Sequence, residues 1–209
     1  GQYWNLVIAE NVSTGTIKSS SQLGNSVKPD IAGGTLQIDQ SGTITSNITL
    51  SADSTNKIDA NGKSAVISGV LSDQSSSGTI TISDSGSGGS VTLAGVNTYT
   101  GATTVSSGGT LKLSGSGSIA QSSGVALDGT LDISSTASSA SLKSVTGSGT
   151  LALGTKTLIL TAASGTFAGT ITGTGQVQLD GGTLTLSGTN TFTGGVRVAA
   201  GTTLTTTSS

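Results

Sequence analysis

One position of this chain stays aliphatic at twenty-residue steps: Leu111, Leu131, Leu151 and Ile171, with Val91 and Leu71 continuing the series backwards. A second series, Val105, Val125 and Val145, keeps the same step six residues upstream of the leucines. A β-sandwich or antiparallel barrel also has short strands and regular turns, but nothing in its construction keeps one position aliphatic through equal steps. A coil does. If one turn takes about 20 residues, like side chains stack on like along the axis, and every turn buries its aliphatics against its neighbours. The pattern predicts an all-β chain: a parallel β-helix of about ten rungs, roughly 20 residues per rung, with paired strands about 4.8 Å apart. The right-handed preference of parallel crossovers makes it a right-handed coil.

Local sequence agrees. A Gly-Thr-aliphatic-x-aliphatic element begins at Gly34, Gly78, Gly109, Gly129, Gly149 and Gly182. Its two aliphatics, two residues apart, face one side of a strand, and the glycine before them suits a corner. Aromatics make up only 2% of the residues and there is no methionine, so a thin stack of aliphatics is easier to build than a thick globular core. Charged residues are few, at 9%, yet the mean hydropathy is positive and the net charge only −2, which is the wrong balance for a disordered chain. The expected organisation is a single β-helix segment over 1–209, with less regular first rungs or a cap over 1–30. Within that stretch, Tyr3-Trp4-Asn5-Leu6-Val7-Ile8 is a strand that either joins the coil or caps it. With no initiator methionine, the chain reads as a piece of a longer protein.

A longer repeat is superimposed. Residues 88–111 align without a gap to residues 181–204, with 13 of 24 positions identical. Asn97 matches Asn190, Gly101 matches Gly194, and Tyr99 is answered by Phe192. The asparagines fall where a strand gives way to a turn, a place that suits a side chain able to cap turns and to bond backbone groups of neighbouring rungs. The aromatic rings are expected to pack under a corner. The pattern L-x-G-x-N-T-(Y/F)-T-G-x(3)-V-x(5)-L resembles the passenger-associated transport repeat of autotransporter (type V secretion) proteins, in two copies covering about a quarter of the chain. The resemblance implies a secreted passenger domain on the surface of a Gram-negative bacterium, where such passengers support adhesion, aggregation or biofilm formation and contribute to virulence. It also implies an outer-membrane β-barrel of the same protein, C-terminal to the passenger and absent from this sequence. Partners implied are host-cell or neighbouring-cell surface molecules, or self-association.

The residues offer little for catalysis, and no enzyme, cofactor or metal site is expected. Ser83-Asp84-Ser85-Gly86-Ser87-Gly88 superficially resembles a serine-protease nucleophile loop, but the chain has no histidine to complete a triad. It has no cysteine, which excludes disulfides and thiolate metal sites. Asp39/Asp59 and Asp53/Asp73, each 20 residues apart, are candidate one-rung neighbours for carboxylate chemistry or calcium. Lys57 and Lys63 supply ordinary neutralisation nearby. Arg197, the one arginine, has no acidic companion in its repeat. Segments such as Asp180-Gly181-Gly182 do not build the repeated Gly-Gly-x-Gly-x-Asp of calcium-binding nonapeptides. Scattered basic residues and a pI near 4.7 argue against nucleic acid. Two alternatives to a structural or adhesive rod stay open: a β-helical polysaccharide-processing enzyme, and an ice-binding solenoid with Thr-x-Thr rows such as Thr183-Leu184-Thr185.

Overall fold

A computed structural model describes residues 29–207 and, before them, the backbone of one strand at Thr16–Ser19. Apart from these, the expected irregular rungs or cap over 1–30 lie outside the described residues, Tyr3–Ile8 included. The described chain is all β, without a helix, and its strands stack in parallel as a solenoid of about nine turns of roughly 20 residues, close to the ten rungs expected.

Each turn visits three faces in a fixed order. The first face holds Asp30–Ile31, Ile48–Leu50 and Leu71–Asp73, and later Ser139–Leu142, Thr157–Leu160, Val177–Leu179 and Val196–Val198. The second is a seven-stranded sheet from Thr16–Ser19 to Val145–Thr146. A bridge from Gly147 to Phe167 continues it into Thr166–Phe167, Thr183–Leu186 and Thr203–Thr206. The third runs through seven strands from Gly42–Ile44 to Thr170–Thr172. Alternation does the sorting: Thr35–Ile38, Ile80–Ser83, Thr157–Leu160 and Thr183–Leu186 each bury every second residue. The buried aliphatics from Ile31 to Leu186 join in one continuous core. Each fully buried Leu, Ile or Val contributes about 1.5–3 kcal/mol.

The leucine ladder holds over five turns on the third face: Val91 pairs with Leu111, then Leu131, Leu151 and Ile171 follow in register. Its extension to Leu71 does not. Val91 pairs with Ala65, and Leu71 lies on the first face opposite Ile48. The valine ladder is likewise broken at one end: Val125 pairs with Val145, but Val105 pairs with Leu127. The reason is corner length. The early turns carry longer loops, such as the one between Ile80–Ser83 and Ser90–Leu93, so the step there rises to 26 residues while the strands still stack.

Candidate functional site

The sequence singles out the repeat motif, and the coil shows what its residues do. Asn97 is buried between turns. Its Oδ1 accepts the Leu71 N–H at 2.8 Å, and its Nδ2 donates to the Gly95 carbonyl at 2.9 Å and to the Ser118 carbonyl of the next turn at 3.0 Å. One side chain thus ties three successive turns where the chain leaves a strand. Asn190 repeats this, accepting from Ile171 N–H at 2.8 Å and donating to the Gly188 carbonyl at 3.2 Å. The glycines of the motif are close-approach positions. A Cβ on Gly101 would stand 2.3 Å from the Ser77 carbonyl oxygen, and one on Gly194 2.1 Å from that of Gly175.

Tyr99 lies beside this bend with its ring buried in the core. Its hydroxyl meets Thr103 Oγ1 at 2.7 Å, which meets Ser122 Oγ at 2.7 Å, and Ser122 donates to the Gly101 carbonyl at 2.8 Å. Burial pushes the Tyr99 phenol well above its usual pKa, the hydrogen bonds with Thr103 and Ser122 acting the other way. In the second copy Phe192 replaces Tyr99 and Val196 replaces Thr103, so both hydroxyls are lost together.

The two copies do not share a face. In the first, Ser90–Leu93 lies on the third face and Thr103–Val105 on the second. Their counterparts Thr183–Leu186 and Val196–Val198 lie on the second and the first. The 93 residues between copies therefore span four turns and two further faces, and outward side chains of the two repeats point to different sides of the rod. What the repeats have in common is the bend and its clamp. Replacing Asn97 with alanine leaves the buried Leu71 N–H unpaired and is expected to destabilise the coil by about 2–3 kcal/mol. Asn97→Asp does not rescue it, because a carboxylate cannot donate to the Gly95 and Ser118 carbonyls. Chemical denaturation of the two variants checks this, and an unshifted midpoint contradicts it.

Sequence reasoning missed a second clamp. Asn56 is fully buried; its Oδ1 accepts from Gly33 N–H at 2.6 Å, and its Nδ2 donates to the Ser51 and Thr79 carbonyls at 2.8 and 3.1 Å. It has no copy elsewhere in the chain, so no repeat pointed to it.

The candidate carboxylate pairs are not pairs. Gln37 stands opposite Asp59, and Leu50 opposite Asp73, so neither Asp39 nor Asp53 is level with its supposed partner. Each acid except Asp39 instead holds a loop. Asp59 accepts from Asn61 N–H and Ser85 N–H on Oδ1, and from Gln37 Nε2 and Ser85 Oγ on Oδ2. Asp73 accepts from Gly78 N–H, Thr100 N–H and Thr100 Oγ1. Asp53 accepts from Thr55 N–H and Oγ1. Asp39 Oδ1 is buried without a hydrogen-bond partner, and nothing in the structure explains it. The protease-like segment is another such corner: Asp84 accepts from Gly62, Gly86 and Gly89 N–H. Neither Lys57 nor Lys63 forms an ion pair among the described residues, whereas Arg197 does find an acid, Asp180 Oδ1 at 3.3 Å. Both partners are exposed, which makes that pair worth little. Among the described residues no group of three or more acidic side chains is placed to hold a metal ion.

Burial opposes the charged form of Asp59 and Asp73, but the hydrogen bonds outweigh it and hold both carboxyls below the ordinary carboxylate range. A carboxylate so depressed adds stability above its unfolded pKa, about 4, and loses it as the pH falls through the lower folded value. The thermal midpoint is therefore expected to drop below about pH 4, and Asp59→Asn to flatten that drop. A midpoint indifferent to acid, or unchanged in slope by Asp59→Asn, contradicts the assignment.

Comparison with known families agrees with the repeat seen in the sequence: the passenger-associated-transport-repeat model matches residues 85–113 and 177–205. These two stretches contain the two clamped bends. No curated protein and no solved structure matches the chain.

Proposed function

We propose that this chain, which carries two passenger-associated transport repeats, is a structural and adhesive segment of an autotransporter passenger exposed on the surface of a Gram-negative bacterium. The observation that carries the reading is the coincidence of those two repeats with the clamped bends of a parallel solenoid. A rod whose side chains are spent on holding turns together fits a spacer that projects contacts away from the cell. Contact surfaces are the outward Ser and Thr side chains and the polar corners, which act by many weak interactions at once. Because the two repeats face different sides, those contacts spread around the rod instead of forming one strip. No catalytic step is assigned, since three of the four candidate carboxylates, Asp53, Asp59 and Asp73, are occupied as loop caps, and Asp39 does not stand level with Asp59.

Display of the full chain on a non-adherent bacterium tests the adhesive part. Increased clumping or binding to cultured cells is expected; a displayed, folded rod that does neither contradicts adhesion. Ice binding finds less support. Thr110, Thr130, Thr150 and Thr170 form one column, but the column beside it reads Lys112, Asp132, Ala152 and Thr172. Measurable thermal hysteresis would restore that reading.

A further inference from the structure

We propose that the C-terminal end of the coil is a stacking face for one further parallel turn of β-solenoid, built like residues 114–133 but with an apolar side chain where Ser122 stands. The inference rests on the internal repeat and not on the cell-surface reading. In the first copy, Thr103 pairs with Val125, Val105 with Leu127 and Leu111 with Leu131, and all six side chains are buried. The Asn97 backbone N–H and Nδ2 both donate to the Ser118 carbonyl of that covering turn.

The second copy has the same lower contacts. Thr191 and Phe192 N–H donate to the Ile171 carbonyl as Thr98 and Tyr99 N–H donate to that of Leu71, and Asn190 accepts from below as Asn97 does. Its upper side is open. Val196 and Val198, counterparts of fully buried Thr103 and Val105, are 39% and 46% exposed, and Phe192 and Leu204 are only partly buried. These are the positions that a parallel turn covers in the first copy, and the face continues the stacking surface that runs through the whole coil. The polarity of the occupant follows from the exchanged pair. Ser122 meets the hydroxyl chain of Tyr99 and Thr103, whereas a hydroxyl at its counterpart would face Phe192 and Val196. A turn that fits is apolar there and offers one carbonyl to Asn190.

The test extends the full chain after Ser209 with a copy of residues 117–137, the stretch that keeps the 93-residue offset. One version retains the serine copied from Ser122, a second carries Ser122→Ala in that copy, and a third has the extension scrambled. Amide hydrogen exchange is read at Val196–Val198 and Thr203–Thr206. The alanine version is expected to slow it at least about tenfold, the serine version less, and the scrambled one not at all. No slowing with either ordered extension, or equal slowing with the scrambled one, overturns the proposal. So does a concentration-dependent dimer of the unextended chain that protects the same amides, since a second copy would then be the occupant. Equal slowing by serine and alanine overturns the polarity assignment.

Discussion

Replacing Leu131 with aspartate is expected to unfold the middle of the rod. Leu131 is fully buried, with Leu111 on the turn below and Leu151 on the turn above in strict register. A carboxylate there has neither a cation nor a hydrogen-bond donor beside it, and it also forfeits the packing of a leucine. Large-to-small loss in a core takes about 2–5 kcal/mol, and an unpaired buried charge adds several more unless the group takes up a proton. Because each turn touches only its neighbours, the damage concentrates on the turns around residue 131 and can split the melt into two phases. Ala126→Asp, at an exposed outward position of the neighbouring strand, is the control and is expected to leave the melt unchanged. A Leu131→Asp chain that melts like the parent contradicts the placement of the ladder.

The second large effect is expected at Gly149. It belongs to a column of glycines, Gly129, Gly149, Gly169 and Gly188, at the corner between the second and third faces. A Cβ on Gly129 would meet the Gly109 carbonyl oxygen at 2.3 Å, and one on Gly149 that of Gly129 at 2.2 Å. Gly169 and Gly188 continue the column at 2.0 and 1.9 Å. Backbone is the obstacle in each case, so no side chain can swing aside. Gly149→Ala must push two turns apart locally, at a cost of about 3 kcal/mol. Gly108→Ala offers the contrast: nothing lies within 4 Å of its Cβ, and only its positive φ of 81° resists the change, a penalty of about 1–2 kcal/mol. Denaturant midpoints of the two variants should differ in that order; equal midpoints contradict the close stacking at Gly149.

Periodicity made the later turns legible because their corners have nearly constant length, so Leu111, Leu131, Leu151 and Ile171 could be read straight off the twenty-residue step. It misplaced Leu71 and Val105 because stacking depends on strand pairing and not on residue count. A loop such as 84–89 adds residues to a turn without moving the strands that flank it. The asparagines of the motif were legible as bend residues, and their bonds to neighbouring turns followed from the chemistry of a side-chain amide. Tyr99 was less so, since sequence does not say whether a ring beside a bend points in or out; its partner Thr103 was the available signal, lost in step with it at Phe192 and Val196. The acids were legible by a different rule than the one applied. Asp53, Asp59, Asp84 and Asp132 each accept the N–H two residues on, the habit of an aspartate in a turn, and spacing by twenty was no guide to their neighbours.

Parallel, in-register stacking of successive turns underlies every assignment above, and cysteine pairs read it directly in a chain that has no cysteine of its own. Lys112 stands opposite Asp132, and Asp132 opposite Ala152, on outward positions of the third face. Adjacent paired strands bring Cα atoms to about 5 Å, within disulfide reach, whereas two turns separate them by about 10 Å. Oxidation of the Lys112→Cys/Asp132→Cys chain is expected to form the bond readily, and Lys112→Cys/Ala152→Cys to remain reduced. Failure of the first pair, or bonding of the second as fast as the first, contradicts the solenoid.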